Sequence, residues 1–170
     1  MKKLLITLAT ASTLFASGHS VAVGTAGGTL QVSAVVVSSC VIATLPVAFG
    51  SYDATAASAK TATGTITLTC VGTSSATLTL NNGLHFGTTR NMRGTLGNAL
   101  LAYGLFKPVS DATGAACAYS SAFGSAAGEE FVVTGITLAP RAISVCGSAP
   151  TGQNVNADIY ADTVAVTATF

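Results

Sequence analysis

From residue 64 onward the chain alternates apolar and polar side chains with a period of two, in short runs rich in Thr, Val, Leu and Ile. Gly, Asn, Asp and Pro separate the runs, which is the pattern of half-buried strands joined by turns. Residues 66–70 and 76–80 form two such runs, and the second stops at Asn81-Asn82-Gly83, a turn sequence. Further strands are expected over 100–106, where Tyr103 and Leu105 alternate with Ala102 and Gly104, and over 130–138 and 142–146, interrupted by Pro140. A last strand is expected over 162–170, with Val164, Val166, Ala168 and Phe170 on one face. No stretch carries a convincing helical stripe; 54–62 reads as a short helix or a mobile loop, and 90–97 as a long connection between strands. The expected fold class is therefore all-β, a sandwich or barrel.

The beginning of the chain is patterned differently. Lys2 and Lys3 precede an uncharged run over 4–15, followed by small residues and Ser20-Val21-Ala22, the features of a secretory signal peptide over 1–22. Cleavage after Ala16 or Gly18 is the alternative. The run is too short and too soon broken to be a membrane-spanning helix. Next comes a glycine-rich stretch, 24–28, and then an alternating segment with Leu30, Val32, Ala34 and Val36 at every second position. It reads either as the first strand of its own sandwich or as a strand carried on a leash. The domain plan is a leader at 1–22, an extension at 23–38 and one folded domain at 39–170.

Composition narrows the function classes. Only 8% of residues are charged, against about 25% in an ordinary domain, so a surface of Ala, Gly, Ser and Thr suits a protein covered by copies of itself. Without the leader, five basic residues face six acids, which offers nothing to nucleic acid. Cys40, Cys70, Cys117 and Cys146 are even in number and fit disulfides in an oxidising compartment, with three connectivities open. They lack the paired C-x-x-C knuckles of a zinc site.

Candidate chemistry is sparse. His85 would be the only histidine left beyond the leader, and no G-x-S-x-G elbow accompanies it. Glu129 and Glu130 are adjacent, so in a strand they point to opposite faces, and Asp158 and Asp162 flank a turn; neither pair is a glycosidase dyad. Arg90 and Arg93 read as local carbonyl or carboxylate contacts, and Tyr103, Tyr119 and Tyr160 are spaced by strands and not clustered, which gives a sugar-stacking platform no support. Phe49 and Tyr52 are expected to pack one sheet against the other. The reading is a non-enzymatic protein with no cofactor, no metal and no small-molecule substrate.

In order along the chain stand the alternating strand before Cys40, the Phe49-Gly50-x-Tyr52 segment, the second cysteine strand at 65–70, and Arg90-x-Met92. Leu101-x-Tyr103-x-Leu105-Phe106, Ala149-Pro150-x-Gly152-Gln153 and Tyr160-x-Asp162-Thr163-Val164-x-Val166-Thr167 follow. This series resembles the spore coat protein U-like domain family, which includes subunits of archaic (Csu-type) chaperone-usher pili. The resemblance implies an incomplete immunoglobulin-like β-sandwich that lacks its final strand. It implies a donor strand of Leu30, Val32, Ala34 and Val36, and an acceptor edge of Val164, Val166, Ala168 and Phe170. It also implies partners: a periplasmic pilus chaperone, an outer-membrane usher and neighbouring subunits, in an extracellular pilus that supports surface attachment and biofilm formation. Two departures stand out. Where relatives often carry an aromatic, Cys117 and Cys146 imply a second disulfide, and Phe170 replaces a frequent tyrosine. A non-polymerising surface or spore-coat protein of the same fold and an adhesin module are the alternatives.

Overall fold

The computed structural model describes residues 24–170, so the expected leader lies outside the described residues. The chain divides into an N-terminal unit ending at Ala34 and a body, Val35–Phe170. In the N-terminal unit residues 24–34 form no strand, and Leu30 and Val32 are 89% and 88% exposed.

Ten strands build the body: β1 (Ser39–Leu45), β2 (Lys60–Val71), β3 (Ser75–Leu80), β4 (Arg90–Gly94), β5 (Leu100–Pro108), β6 (Cys117–Ala122), β7 (Phe131–Thr134), β8 (Arg141–Ala149), β9 (Tyr160–Ala161) and β10 (Val166–Thr169). The larger sheet runs β1-β2-β8-β5-β4-β9, with β6 also paired to β5; the smaller runs β10-β3-β7. All pairings are antiparallel. The body is a two-sheet, immunoglobulin-like sandwich.

Period-two alternation places the core. On β2, Ile66, Leu68 and Cys70 point inward while Thr65, Thr67 and Thr69 face out; on β3, Ala76, Leu78 and Leu80 meet them from the other sheet. Tyr103, Leu105, Phe123, Val133, Ile143 and Val145 complete the layer. Burying each large aliphatic contributes roughly 1.5–3 kcal/mol. Cys40–Cys70 links β1 to β2 at directly opposed positions, and Cys117–Cys146 ties β6 to β8, both of which pair with β5.

Two glycines let the chain fold over the core. After β1, residues 46–49 cross the inner face of the β2–β8 pair. A Cβ on Gly64 would lie 2.8 Å from the Leu45 carbonyl oxygen, and one on Gly147 would lie 2.9 Å from the Phe49 ring. Phe49 then meets Tyr103 edge-on, with ring centroids 6.2 Å apart. Tyr52 anchors the next turn by donating its hydroxyl to the Pro150 carbonyl at 2.6 Å. Gln153 brackets Ala102, accepting from its N–H at 2.6 Å and donating to its carbonyl at 2.9 Å, so a side chain supplies the pairing that β8 stops providing.

Several expected boundaries are corrected. Residues 90–97 are not a long connection, because 90–94 form β4, paired with β5. The polar side chains hid it: the buried Arg90 guanidinium donates to the Leu80 and Asn81 carbonyls, so a charged residue occupies an inward position. The strand expected over 130–138 is only β7, the segment 54–62 contains no helix and ends in the start of β2, and β6 had not been expected. The last strand, expected over 162–170, forms only over 166–169 in the smaller sheet, while 160–161, just ahead of that range, pair in the larger, so the chain crosses between the sheets over 162–165. At the crossing Asn81 accepts from the Ala165 N–H through its side chain and donates its own N–H to the Ala165 carbonyl.

Replacing Gly147 with Ala is expected to destabilise the domain by about 1–3 kcal/mol, because Val47 and Phe49 must shift off the sheet. Thermal unfolding of the purified domain would show it as a lowered midpoint, with both disulfides retained.

Candidate functional site

A three-stranded sheet facing a seven-stranded one cannot cover it. The registers show where the cover is missing. Ser39 pairs with Val71 and Thr169 with Thr77, so the start of β1 and the end of β10 lie at the pole where β2 turns into β3. β1 and β10 therefore run in opposite directions along the two sides of an opening. Among the described residues each is paired on one side only.

The opening deepens at the far pole into a cleft of about 340 Å³. Its walls are Leu45, Val47 and Phe49 on one side and Val164 and Val166 on the other. Its floor is core: Ile66, Leu80, Tyr103, Leu105 and Val145. Val164, Val166 and Ala168 pack against the core yet stay partly exposed, as do Cys40 and Ile42 across from them. A row of unpaired backbone groups on β10 thus borders unfilled apolar surface, the two features that recruit an additional strand.

The residues assigned to an acceptor edge fall differently along this wall. Val166 and Ala168 lie in β10, Val164 lies in the crossing before it and still lines the cleft, and Phe170 follows the strand at 51% exposure. Of the residues assigned to a donor, Leu30, Val32 and Ala34 lie in the N-terminal unit; Val36, in the body, is exposed and outside any strand.

The sequence reading gave no role to what holds the wall in place. Asp162, whose side chain is 2% exposed, accepts from the Tyr103 hydroxyl at 2.6 Å and the Leu84 N–H at 2.9 Å, and its Oδ1 lies 3.1 Å from His85 Nδ1. Burial first, and this hydrogen bond second, push the Tyr103 phenol far above its usual range, so it remains a neutral donor. Gly83, at φ +81°, brings the loop backbone against the carboxylate where a Cβ would collide with it. The signal was present in the Tyr160-x-Asp162 motif, but its partners are 59 and 78 residues away.

A second carboxylate organises the loops beyond the cleft. Asp158 accepts from the Thr95 hydroxyl at 2.8 Å and from the N–H groups of Leu96 (2.8 Å), Gly97 (3.2 Å) and Ile159 (2.7 Å). The Leu96 N–H is the main cause that holds its carboxyl below the ordinary value of 3.8. The four cysteines are consumed in disulfides, His85 lies against Asp162, Arg90 donates to the Leu80 and Asn81 carbonyls, and Arg93 donates to Asn98 within its own hairpin. The described site is an open, largely apolar cleft framed by hydrogen bonds.

Comparison with known proteins agrees with this geometry. The model of the Spore Coat Protein U domain matches residues 26–167. "Protein U" of Myxococcus xanthus is 31% identical over 134 residues, spanning 72% of this chain and 70% of that protein. Among solved structures, the CsuC–CsuE chaperone–tip adhesion subunit pre-assembly complex from the archaic chaperone-usher Csu pili of Acinetobacter baumannii superposes with a TM-score of 0.55 at 25% identity. That match covers 79% of this chain and 40% of the other, so this chain spans less than half its length.

Two outcomes test the framing carboxylates. Asp162→Ala should cost about 1–3 kcal/mol, since it strands the buried Tyr103 hydroxyl and the Leu84 N–H; denaturant unfolding of a strand-complemented domain reads it. Because the Asp158 pKa is lowered on folding, its contribution is present above the unfolded value near 3.8 and disappears as pH falls through the folded one. Amide exchange at Leu96 and Gly97, measured between pH 5 and about 2.5, should lose protection over that window, and Asp158→Asn should remove the pH step.

Proposed function

The chain belongs to the Spore Coat Protein U domain family, and from that premise we propose that it is a structural subunit of a chaperone-usher pilus that polymerises by donor-strand exchange. The observation that carries the reading is the open groove between β1 and β10, a vacant strand position above exposed core. The neighbouring solved complex pairs a chaperone with a pilus subunit. By analogy a periplasmic chaperone holds this groove first, and at an outer-membrane usher the alternating segment of another copy replaces it. Leu30, Val32, Ala34 and Val36 supply the side chains, and seating them contributes on the order of 5 kcal/mol of apolar burial. The fibre is extracellular and serves surface attachment and biofilm formation. Nothing in this role requires catalysis.

Local chain chemistry favours a neighbour's groove over the chain's own. To enter its own, the segment would have to reverse at Val37–Ser38, just ahead of β1 at Ser39. Tight two-residue hairpins need φ > 0, which Asn, Asp and Gly supply and a β-branched valine resists. Ser38 is also committed elsewhere, donating its hydroxyl to the Gly72 carbonyl at 2.8 Å. A spore-coat or other non-polymerising role would require that hairpin.

Periplasmic co-expression with the cognate chaperone is the test, comparing the mature chain with one lacking residues 29–37. The truncated chain should still be recovered bound to chaperone, with heat-resistant polymer reduced at least about a hundredfold, as expected when most of a buried interface is removed. A full chain that is a stable monomer alone, and that unfolds when truncated, would refute the pilus reading.

A further inference from the structure

The tether between the alternating segment and the folded body is very short. Val36 and Ser39 are three residue steps apart, so their Cα atoms lie at most about 11 Å from one another. The Ser38 hydroxyl bonded to the Gly72 carbonyl pins the body's end of that tether to the turn between β2 and β3. Beside it Val37 is exposed, and so is Val71. A strand leaving from this turn cannot enter another molecule without bringing the turn itself against that molecule.

Direction decides which part is touched. A strand antiparallel to β10 extends β10-β3-β7 as a uniformly antiparallel sheet, the more stable pairing per residue. It would start near Phe170 and finish near Asp162. At that finishing end the groove opens into a second, wider cleft of about 830 Å³ that shares Val47, Phe49, Met92 and Tyr160 with it. At its rim Ile159 is 75% exposed, and Leu96, 89% exposed, stands on the adjoining loop. The Asp158 carboxylate bonds both of their backbone N–H groups, so the backbone that holds these two large aliphatic side chains out in water is braced. Nothing within the domain explains why a loop should be braced to do that.

We propose that this cleft and its Ile159–Leu96 rim are the docking surface for a second copy of the chain, which seats its Val71–Gly72–Thr73 turn there when its strand occupies the groove. The inference rests on the pilus-subunit reading and adds a body-to-body contact to it. Consecutive subunits then meet over two surfaces, and the joint between them is stiffened by the second. Both faces are almost uncharged, with Asp53 and Asp158 the acids lining the cleft and no charged side chain within residues 71–73. Electrostatic repulsion therefore does not oppose the contact.

The test uses fibres of the full mature chain made with its chaperone. In the pair Thr73→Cys plus Ile159→Cys, oxidation should join neighbouring subunits into a ladder of dimers, trimers and longer species on non-reducing gels after the fibres are dissociated. Neither single substitution should form the ladder. Independently, Ile159→Asp should leave the yield of chaperone-bound subunit unchanged while fibres come apart in hot detergent about tenfold faster, the loss typical of one central apolar contact. Fibres of normal yield with no ladder and unchanged dissociation would overturn the interface alone. A ladder from Thr73→Cys plus Phe170→Cys in its place would overturn it by reversing the strand direction. A wild-type chain that makes no fibres would remove the pilus reading beneath it.

Discussion

An unfilled strand position governs this molecule. The smaller sheet ends at β10, where Val164, Val166 and Ala168 pack against the core but stay partly exposed and the outer hydrogen-bonding edge of the strand has no partner within the body. An antiparallel edge above open apolar surface is an unstable boundary with water. The remaining architecture either supports that boundary or supplies what covers it.

Support comes from elements distant in sequence. The segment after β1 folds across Gly64 and Gly147 to make the facing wall, with Phe49 set against Tyr103. Asp162 fastens the start of the β10 wall to β5 through Tyr103 and to the loop after β3 through Leu84 and His85. Cys40–Cys70 locks the edge strand β1 to its only neighbour, and Cys117–Cys146 secures β6 on the far side. A disulfide stabilises mainly by limiting the unfolded chain, worth about 3–4 kcal/mol for loops of this size. That contribution does not depend on filling the groove, which matters for a domain that must persist with part of its core uncovered.

The low charge content belongs to the same account. A protein with few ionised residues keeps few like charges to hold copies apart, and here the exposed faces of the strands are largely threonine, serine and alanine. Such a surface associates with others like it at little desolvation cost. The charged groups that exist are mainly spent inside the fold: Arg90 on the carbonyls that end β3, Arg141 on those of Asp111, Thr134 and Gly135, and Asp158 on its loop.

The sequence by itself determined the fold class, most of the inward-facing residues and the family, because period-two alternation and an ordered series of short motifs are local signals. Ile66, Leu68, Leu78, Leu80, Tyr103 and Leu105 are core residues legible from their spacing alone. Other features required the assembled chain. β4 was hidden because its inward arginine is satisfied by carbonyls from another strand, and the last strand, expected over 162–170, pairs only over 166–169 because alternation does not reveal where the backbone joins a sheet. The groove's second wall, the Asp162 network and the braced Ile159–Leu96 rim likewise depend on residues far apart in the chain. Only tertiary structure sets such meetings, since nothing in the local sequence encodes which distant backbone will arrive opposite a given side chain.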